Sequence, residues 1–352
     1  KPKKSSKNKD MIIIALAILL GVSLLANILI TSGIGKSMDA SMEEAEEASK
    51  PAQIELTIIQ DSSCTDCVDI TQLVETLQNV DITDQAEIEF DSDKGKELIR
   101  KHNIEKIPTI IVTGETEKAG LLQFQKSEDA LVFTDLPPPY VDTTTGDVVG
   151  LVSVTKIISK DCEKCTDLDT IIDQLELLGI TFGEETELEY TSSEAQTLLS
   201  KYELDIVPSL ILSKDAEEYE VISQLWLQLG TVEDDGSYVV RNINPPAINI
   251  TTGETTGLVD VTYLTDVSCE TCYNVSEHRL VLANPRGLAL ELNNEITVDI
   301  SDKEGKELVE KYEITKVPTI ILSKQISDYS AAATLVNFFS IDDDGSHIFT
   351  ST

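Results

Sequence analysis

Hydrophobic positions recur along this chain in one order, three times over. Residues 54–60, 151–158 and 258–264 are rich in β-branched side chains and read as strands. Each runs into a Cys-x-x-Cys and then into helix-compatible text, as at 68–77 and 168–178. A short acidic strand follows, at 87–90, 187–190 and 296–300. Then come KGKELIRKHNIEKIPTIIV at 94–112, EAQTLLSKYELDIVPSLIL at 194–212 and EGKELVEKYEITKVPTIIL at 304–322. Each predicts a helix, a hydrophobic-Pro-Thr/Ser step and a β-branched strand. Asp235-Gly236 and Asp344-Gly345 predict hairpin turns into last strands at 238–240 and 347–349. A calcium loop is the rival for these Asp runs, but its spaced ligand pattern is absent. Pro137, Pro138 and Pro139 before 143–146 (TTTG), and Pro245 and Pro246 before 251–253 (TTG), predict short stiff spacers.

The first fifty residues have a different pattern. Residues 11–30 carry no charge, and a helix of that length rises ~30 Å, the thickness of a hydrocarbon core. A cleaved signal peptide has a shorter apolar part, ~7–15 residues, so the run predicts a transmembrane helix at 11–33. Lysines at 1, 3, 4, 7 and 9 precede it, and Glu43, Glu44, Glu46 and Glu47 follow. Positive-inside orientation makes 1–10 a basic cytoplasmic tail and 34–51 an acidic stalk, with the repeats outside the cytoplasm of a cell membrane. The repeats divide into domains at 52–142, 143–250 and 251–352.

Composition narrows the chemistry. The 352 residues carry a net charge of -36, which opposes nucleic-acid binding. The three histidines, His102, His278 and His347, are scattered, which excludes a multi-histidine metal site in one domain. Trp226, the single tryptophan, is expected in the core of the second repeat. Asn249 and Asn274 begin glycosylation sequons.

All six cysteines lie in the repeats, as Cys64/Cys67, Cys162/Cys165 and Cys269/Cys272. The pair after a strand, with Ile107-Pro108, Val207-Pro208 and Val317-Pro318 downstream, resembles the thioredoxin-like superfamily, repeated three times over about 52–352. That resemblance implies an α/β fold, a central mixed sheet flanked by helices in each domain. It implies that Pro108, Pro208 and Pro318 are cis, face the cysteine pair and present backbone to substrate. It also makes Cys64, Cys162 and Cys269 nucleophiles, with Cys67, Cys165 and Cys272 resolving the mixed disulfide. The pattern departs from the family at Ser63, Asp161 and Ser268, where tryptophan is usual, and lacks Gly-Pro between the cysteines.

The expected activity is membrane-anchored thiol–disulfide exchange or redox relay. Its partners would be exported protein thiols and disulfides and a membrane redox partner, and its redox-active disulfides need no cofactor. The first cysteine is expected at a helix N-terminus, where the dipole favours the thiolate. Asp61, Asp66, Glu163, Asp266 and Glu270 oppose that, whereas Lys160 and Lys164 favour Cys162 as the most reactive thiol. The rival reading is a surface rod or filament subunit, a homo-oligomer or surface assembly held by stable disulfides. Copper carriage and zinc binding across repeats are further alternatives, the first opposed by the downstream proline strand.

Overall fold

The computed structural model describes residues 50–350. The expected transmembrane helix at 11–33 lies outside the described residues; among those described, no helix is long and apolar enough to cross a membrane. The described chain falls into two compact units. One comprises residues 50–63, 69–136 and 141–146; the other comprises 64–68, 137–140 and 147–350.

The first unit is built on a five-stranded mixed sheet. Its first strand, Ala52–Gln60, second from one edge, buries alternate residues, Ala52, Ile54, Leu56 and Ile58. Val80–Glu89 pairs with it in parallel and Thr109–Gly114 antiparallel. Ala130–Phe133 pairs antiparallel with Thr109–Gly114, and Phe124–Ser127 closes the far edge.

The second unit holds two more sheets of the same order. From edge to edge they run Phe182–Glu189, Val152–Ile158, Ser209–Leu212, Tyr238–Val240, Gly230–Val232, and Glu291–Asp299, Leu258–Thr265, Thr319–Leu322, His347–Phe349, Phe339–Ile341. The protein is thus mixed α/β with three repeated sheets, the organisation expected of thioredoxin-like domains.

Two features differ from the sequence expectation. The acidic strands are longer, beginning at Val80, Phe182 and Glu291. They are sheet edges whose early residues, such as Asp81, Thr83 and Asp84, face solvent, so no apolar alternation marks them. The proline strand is also not followed directly by the last strands. Helical turns intervene, at Thr116–Ala119, at Lys214–Glu218 with Glu220–Leu229, and at Lys324–Asp328 with Ala332–Leu335. Each leads into an edge strand that forms the final hairpin. In the second repeat Ile222 and Trp226 of Glu220–Leu229 share one core with Leu168, Ile172 and Leu175. The opposite sheet face packs Ala195 and Leu199 of the helix Ser193–Lys201.

That helix recurs as Asp93–His102 and Lys303–Lys311. Ser92 Oγ accepts from the Gly95 N–H at 3.0 Å, and Ser192 Oγ from the Ala195 N–H at 3.2 Å, satisfying N-terminal donors. A Cβ on Gly305 would lie 2.0 Å from the Asp299 carbonyl oxygen, whereas the second repeat carries Ala195 at the matching place. The third helix therefore sits on its strand end more closely than an alanine permits. Gly305→Ala is expected to cost about 1–3 kcal/mol. Chemical denaturation checks this, and an unchanged midpoint would refute the close approach.

A lysine at each helix end ties the repeat to its last hairpin. Lys101 Nζ lies 3.1 Å from Asp129, Lys201 Nζ 2.5 Å from Asp235 and Lys311 Nζ 2.6 Å from Asp344. The lysine hydrogen bond is the largest cause holding all three carboxyls below their usual range. A carboxyl lowered on folding stabilises the fold above its unfolded pKa, ~4, and loses that contribution as pH falls. The Asp235→Asn, Asp344→Asn double variant is therefore expected to flatten the acid limb of stability below about pH 4. Melting temperatures from pH 2 to 6 check this; an acid limb as steep as in the parent would contradict it.

Candidate thiol–disulfide sites

Each cysteine pair is a disulfide, Cys64–Cys67, Cys162–Cys165 and Cys269–Cys272, with Cα atoms 5.5, 5.4 and 5.5 Å apart. The turn that allows this is closed by backbone hydrogen bonds in the second and third repeats. Cys165 N–H donates to Cys162 O at 3.3 Å, and Cys272 N–H to Cys269 O at 3.4 Å. Acidic residues at the end of the parallel edge strand anchor the loop ahead of each pair. Glu89 Oε2 accepts from Ser62 N–H at 3.1 Å, Glu189 Oε2 from Lys160 N–H at 2.9 Å, and Asp299 Oδ2 from Val267 N–H at 2.6 Å. Asp61 and Asp266 brace the same loop through Ser63 and Ser268. Asp61 and Asp266, expected only to oppose thiolate formation, thus also position the loop.

The expected placement of the first cysteine at a helix N-terminus does not hold. The helices start later, at Thr71 and Asp169, and the third repeat begins with a single 3-10 turn at Val275–His278. An Asx side chain two residues beyond the second cysteine sets each start. Asp69 Oδ1 accepts from Thr71 N–H at 2.9 Å, Asp167 Oδ1 from Asp169 N–H at 3.0 Å, and Asn274 Oδ1 from Ser276 N–H at 3.2 Å. The cysteines lie in the preceding turn, beyond the reach of a dipole that acts mainly within the first helical turn. Any preference for the thiolate must come from side-chain cations or from hydrogen-bond donors of the turn itself.

The Ile107-Pro108, Val207-Pro208 and Val317-Pro318 bonds are all cis, as the resemblance implied. In the second repeat Pro208 lines the same cavity as Cys162 and Cys165, about 190 Å³ in volume. Lys156 lies in that cavity too, a residue the sequence reading passed over. It is 7% exposed, and its Nζ donates to Asp169 Oδ1 at 2.8 Å and to Glu185 Oε1. Burial alone would lower its pKa, but the hydrogen bonds and charges of the two carboxylates outweigh burial and raise it above the ordinary lysine value. The signal was present in the sequence as one cation inside the strand LVSVTKII. Lys164, one of the two lysines expected to favour Cys162, lies 3.8 Å from Glu291, which offsets part of its charge.

Removing a nearby cation disfavours a thiolate. Lys156→Met is therefore expected to raise the apparent pKa of the reduced Cys162/Cys165 pair. The pH profile of alkylation rate, followed by mass spectrometry, reads this; an unchanged profile would separate Lys156 from the thiol chemistry.

The third site is more open. Cys272 is exposed where Cys67 and Cys165 are half-buried. Tyr273 follows it, its hydroxyl 3.0 Å from His278 Nε2 and 3.3 Å from the Pro318 carbonyl oxygen. His278 packs edge-on to Phe349, with ring centroids 4.8 Å apart, and burial lowers its pKa. Among the described residues no group of His, Cys, Asp and Glu is arranged to hold a metal ion. Trp226 lies in the core at 3% exposure, away from the disulfide face.

Comparison with known proteins gives no family-model match and no match among curated proteins. Similar solved structures include ERdj5 form II, at 13% identity and TM-score 0.16, covering 90% of this chain. This chain spans 40% of that one. The NTD_N/C domain of Enterococcus faecalis alkylhydroperoxide reductase AhpF matches at 14% identity and TM-score 0.16, covering 50% of this chain and 89% of that one. A protein disulfide oxidoreductase from Aeropyrum pernix K1 matches at 15% identity and TM-score 0.14, covering 53% and 87%.

Proposed function

We propose that this protein is a thiol–disulfide oxidoreductase or redox relay, anchored by residues 11–33 in a cell membrane with its repeats outside the cytoplasm. The observation that carries the reading is the second site, where Cys162, Cys165 and Pro208 line one cavity. A disulfide there can be reached by another sulfur without unfolding the repeat. The Cys162 thiolate attacks a substrate disulfide, forming one mixed S–S bond and releasing one substrate thiolate. The Cys165 thiolate then attacks Cys162 Sγ, releasing the second substrate thiolate and closing the Cys162–Cys165 bond. Two electrons pass from the pair to the substrate. An external dithiol must supply them again, which is the part assigned to a membrane redox partner.

A rod with stable disulfides is the second reading, and one observation favours it. The residue after each of the first two pairs is tied to the following linker: Val68 N–H donates to Pro139 O at 3.0 Å, and Thr166 N–H to Pro246 O at 2.9 Å. The deciding measurement is the reduction potential of each pair in the full chain, equilibrated in dithiothreitol redox buffers and read by thiol trapping. Potentials of about -270 to -120 mV with fast exchange support the oxidoreductase. Pairs that stay oxidised below about -300 mV refute it in favour of the rod.

A further inference from the structure

The loop ahead of each cysteine pair uses the same two residue types, but in the second repeat their order is exchanged. Three residues before the first cysteine stand Asp61, Ser159 and Asp266; directly before it stand Ser63, Asp161 and Ser268. Asp61 and Asp266 each accept from the serine N–H two residues on, at 2.9 Å, and from its hydroxyl. Their carboxylates are satisfied within the loop and offer no proton to a sulfur. Ser159 makes no such turn. Its carbonyl accepts from the Cys162 N–H at 3.2 Å, which joins the two residues in one tight turn. The residue is 9% exposed, and among the described residues its Oγ is the one buried side-chain N or O atom with no hydrogen-bond partner.

That orphan hydroxyl belongs to a residue lining the cavity that Cys162, Cys165 and Pro208 share. The other side-chain donors there are engaged. The Thr166 hydroxyl donates to the Asn244 carbonyl, and Lys156 to Asp169 and Glu185. Charge does not favour a thiolate either. Asp167, Asp169 and Glu187 line the cavity with Lys156, and the loop sets Asp161 and Glu163 against Lys160 and Lys164. Carboxylates outnumber cations around the pair, and a hydrogen bond to sulfur is the interaction that can offset them. A buried hydroxyl without a partner is costly, so the cavity fits best a state in which a partner exists. A disulfide sulfur is a weak acceptor. A thiolate is a charged one, and hydrogen bonds to charged acceptors are about twice as strong.

We propose that the Ser159 hydroxyl is the donor that holds the Cys162 thiolate once the second pair is reduced. The external dithiol reduces the Cys162–Cys165 bond and closes to its own disulfide. Cys162 then loses its proton to solvent, and the hydroxyl turns onto its sulfur. The first and third repeats place a carboxylate at this position, so the second pair is the one whose reduced form gains this bond. The inference deepens the thiol–disulfide reading of the second site and rests on it, but its test needs no substrate. The reduction potential judges that reading; the ionisation of Cys162 judges Ser159.

The test compares the full chain with its Ser159→Ala and Ser159→Thr variants. Each is reduced, and the alkylation rate of Cys162 is followed against pH by mass spectrometry. Ser159→Ala should raise the apparent pKa of Cys162 by about one unit, a tenfold loss of thiolate at pH values below it. Ser159→Thr keeps the hydroxyl and should stay near the parent. Cys64 and Cys269, read in the same digest, should not move. Denaturant titration followed by the fluorescence of Trp226, which lies in the core of this repeat, separates the proposal from a structural role. In the oxidised chain Ser159→Ala removes an unpartnered hydroxyl and should leave the midpoint unchanged or higher. In the reduced chain it should lower the midpoint above about pH 8.5, where the thiol is ionised in both folded and unfolded states. An unmoved Cys162 profile, an equal shift in Ser159→Thr, or a midpoint lowered alike in both redox states would each overturn the inference.

Discussion

Serine in place of all six cysteines, Cys64, Cys67, Cys162, Cys165, Cys269 and Cys272, is expected to abolish thiol–disulfide exchange and leave the three sheets folded. The attacking species in exchange is a thiolate, and a serine hydroxyl does not form a mixed disulfide. Activity should therefore fall to the rate of the reagents alone, whichever repeat dominates in the parent. The structural cost is bounded by loop size. In the chain-entropy account a bridge closing four residues stabilises by about 2 kcal/mol, against about 4.7 for a loop of 100. The anchors that hold each cysteine loop, from Glu89, Glu189 and Asp299, do not involve sulfur and remain. The measurement pairs turnover of a labelled disulfide peptide with thermal unfolding by circular dichroism. Lost exchange with a melting temperature lowered by roughly 10 °C is the expected result. Parent-like exchange would remove the cysteines from the chemistry. Collapse of the fold would show the bridges to be structural, and the rod would become the better account.

Single-site serines should also differ among themselves. Cys162 has Lys156 in its cavity and Lys160 nearby in sequence, whereas Cys272 is the most exposed of the second cysteines. Thiolate character and access thus favour different repeats. Small reagents respond mainly to the first, and bulky protein disulfides to the second.

The repeats, the central strands and the cis-prolines were legible because they rest on strong local signals. A β-branched run, a cysteine pair and an X-Pro step each narrow the local backbone to very few conformations. The edge strands were only partly legible. From Val80 onward the strand carries Asp81, Thr83, Asp84 and Gln85, all exposed, and pairing to Ala52–Gln60 rather than apolar periodicity keeps it extended. The helix start after each pair was misplaced because hydrophobic spacing does not register the Asx turns at Asp69, Asp167 and Asn274. The two Pro-Pro segments were expected as short spacers, and their role as added strands depends on which residues lie opposite. Pairing of Val141 with Ile107, or of Ile248 with Val207, is tertiary information. Lys156 shows the same limit. Its charge stood out in the strand, but its two carboxylate partners come from a helix and from the edge strand.

Trp226→Ala should be the most destabilising single substitution tested in the second repeat. The indole is 3% exposed, stands edge-on to Tyr238 at 5.0 Å between ring centroids, and donates from Nε1–H to the Thr231 carbonyl at 2.9 Å. It fills the core between Glu220–Leu229 and the sheet, alongside Leu175 and Ile222. Truncating a buried tryptophan costs about 3–5 kcal/mol through lost burial and the cavity left behind. Domains of this kind are stable by only about 5–15 kcal/mol, so the variant repeat should lose about a fifth or more of its stability and open far more often than the parent. Limited trypsin digestion localises the effect. Cleavage should appear at Lys201 and Lys214 while Lys101, in the first unit, stays protected. Trp226→Phe keeps an aromatic ring but removes the indole donor and part of the volume, and should fall between the parent and the alanine variant. A parent-like digestion pattern for Trp226→Ala would mean that the hairpin Gly230–Val232 with Tyr238–Val240 holds without the indole. The remaining members of that core, Leu168, Ile172, Leu175 and Ile222 among them, would then suffice.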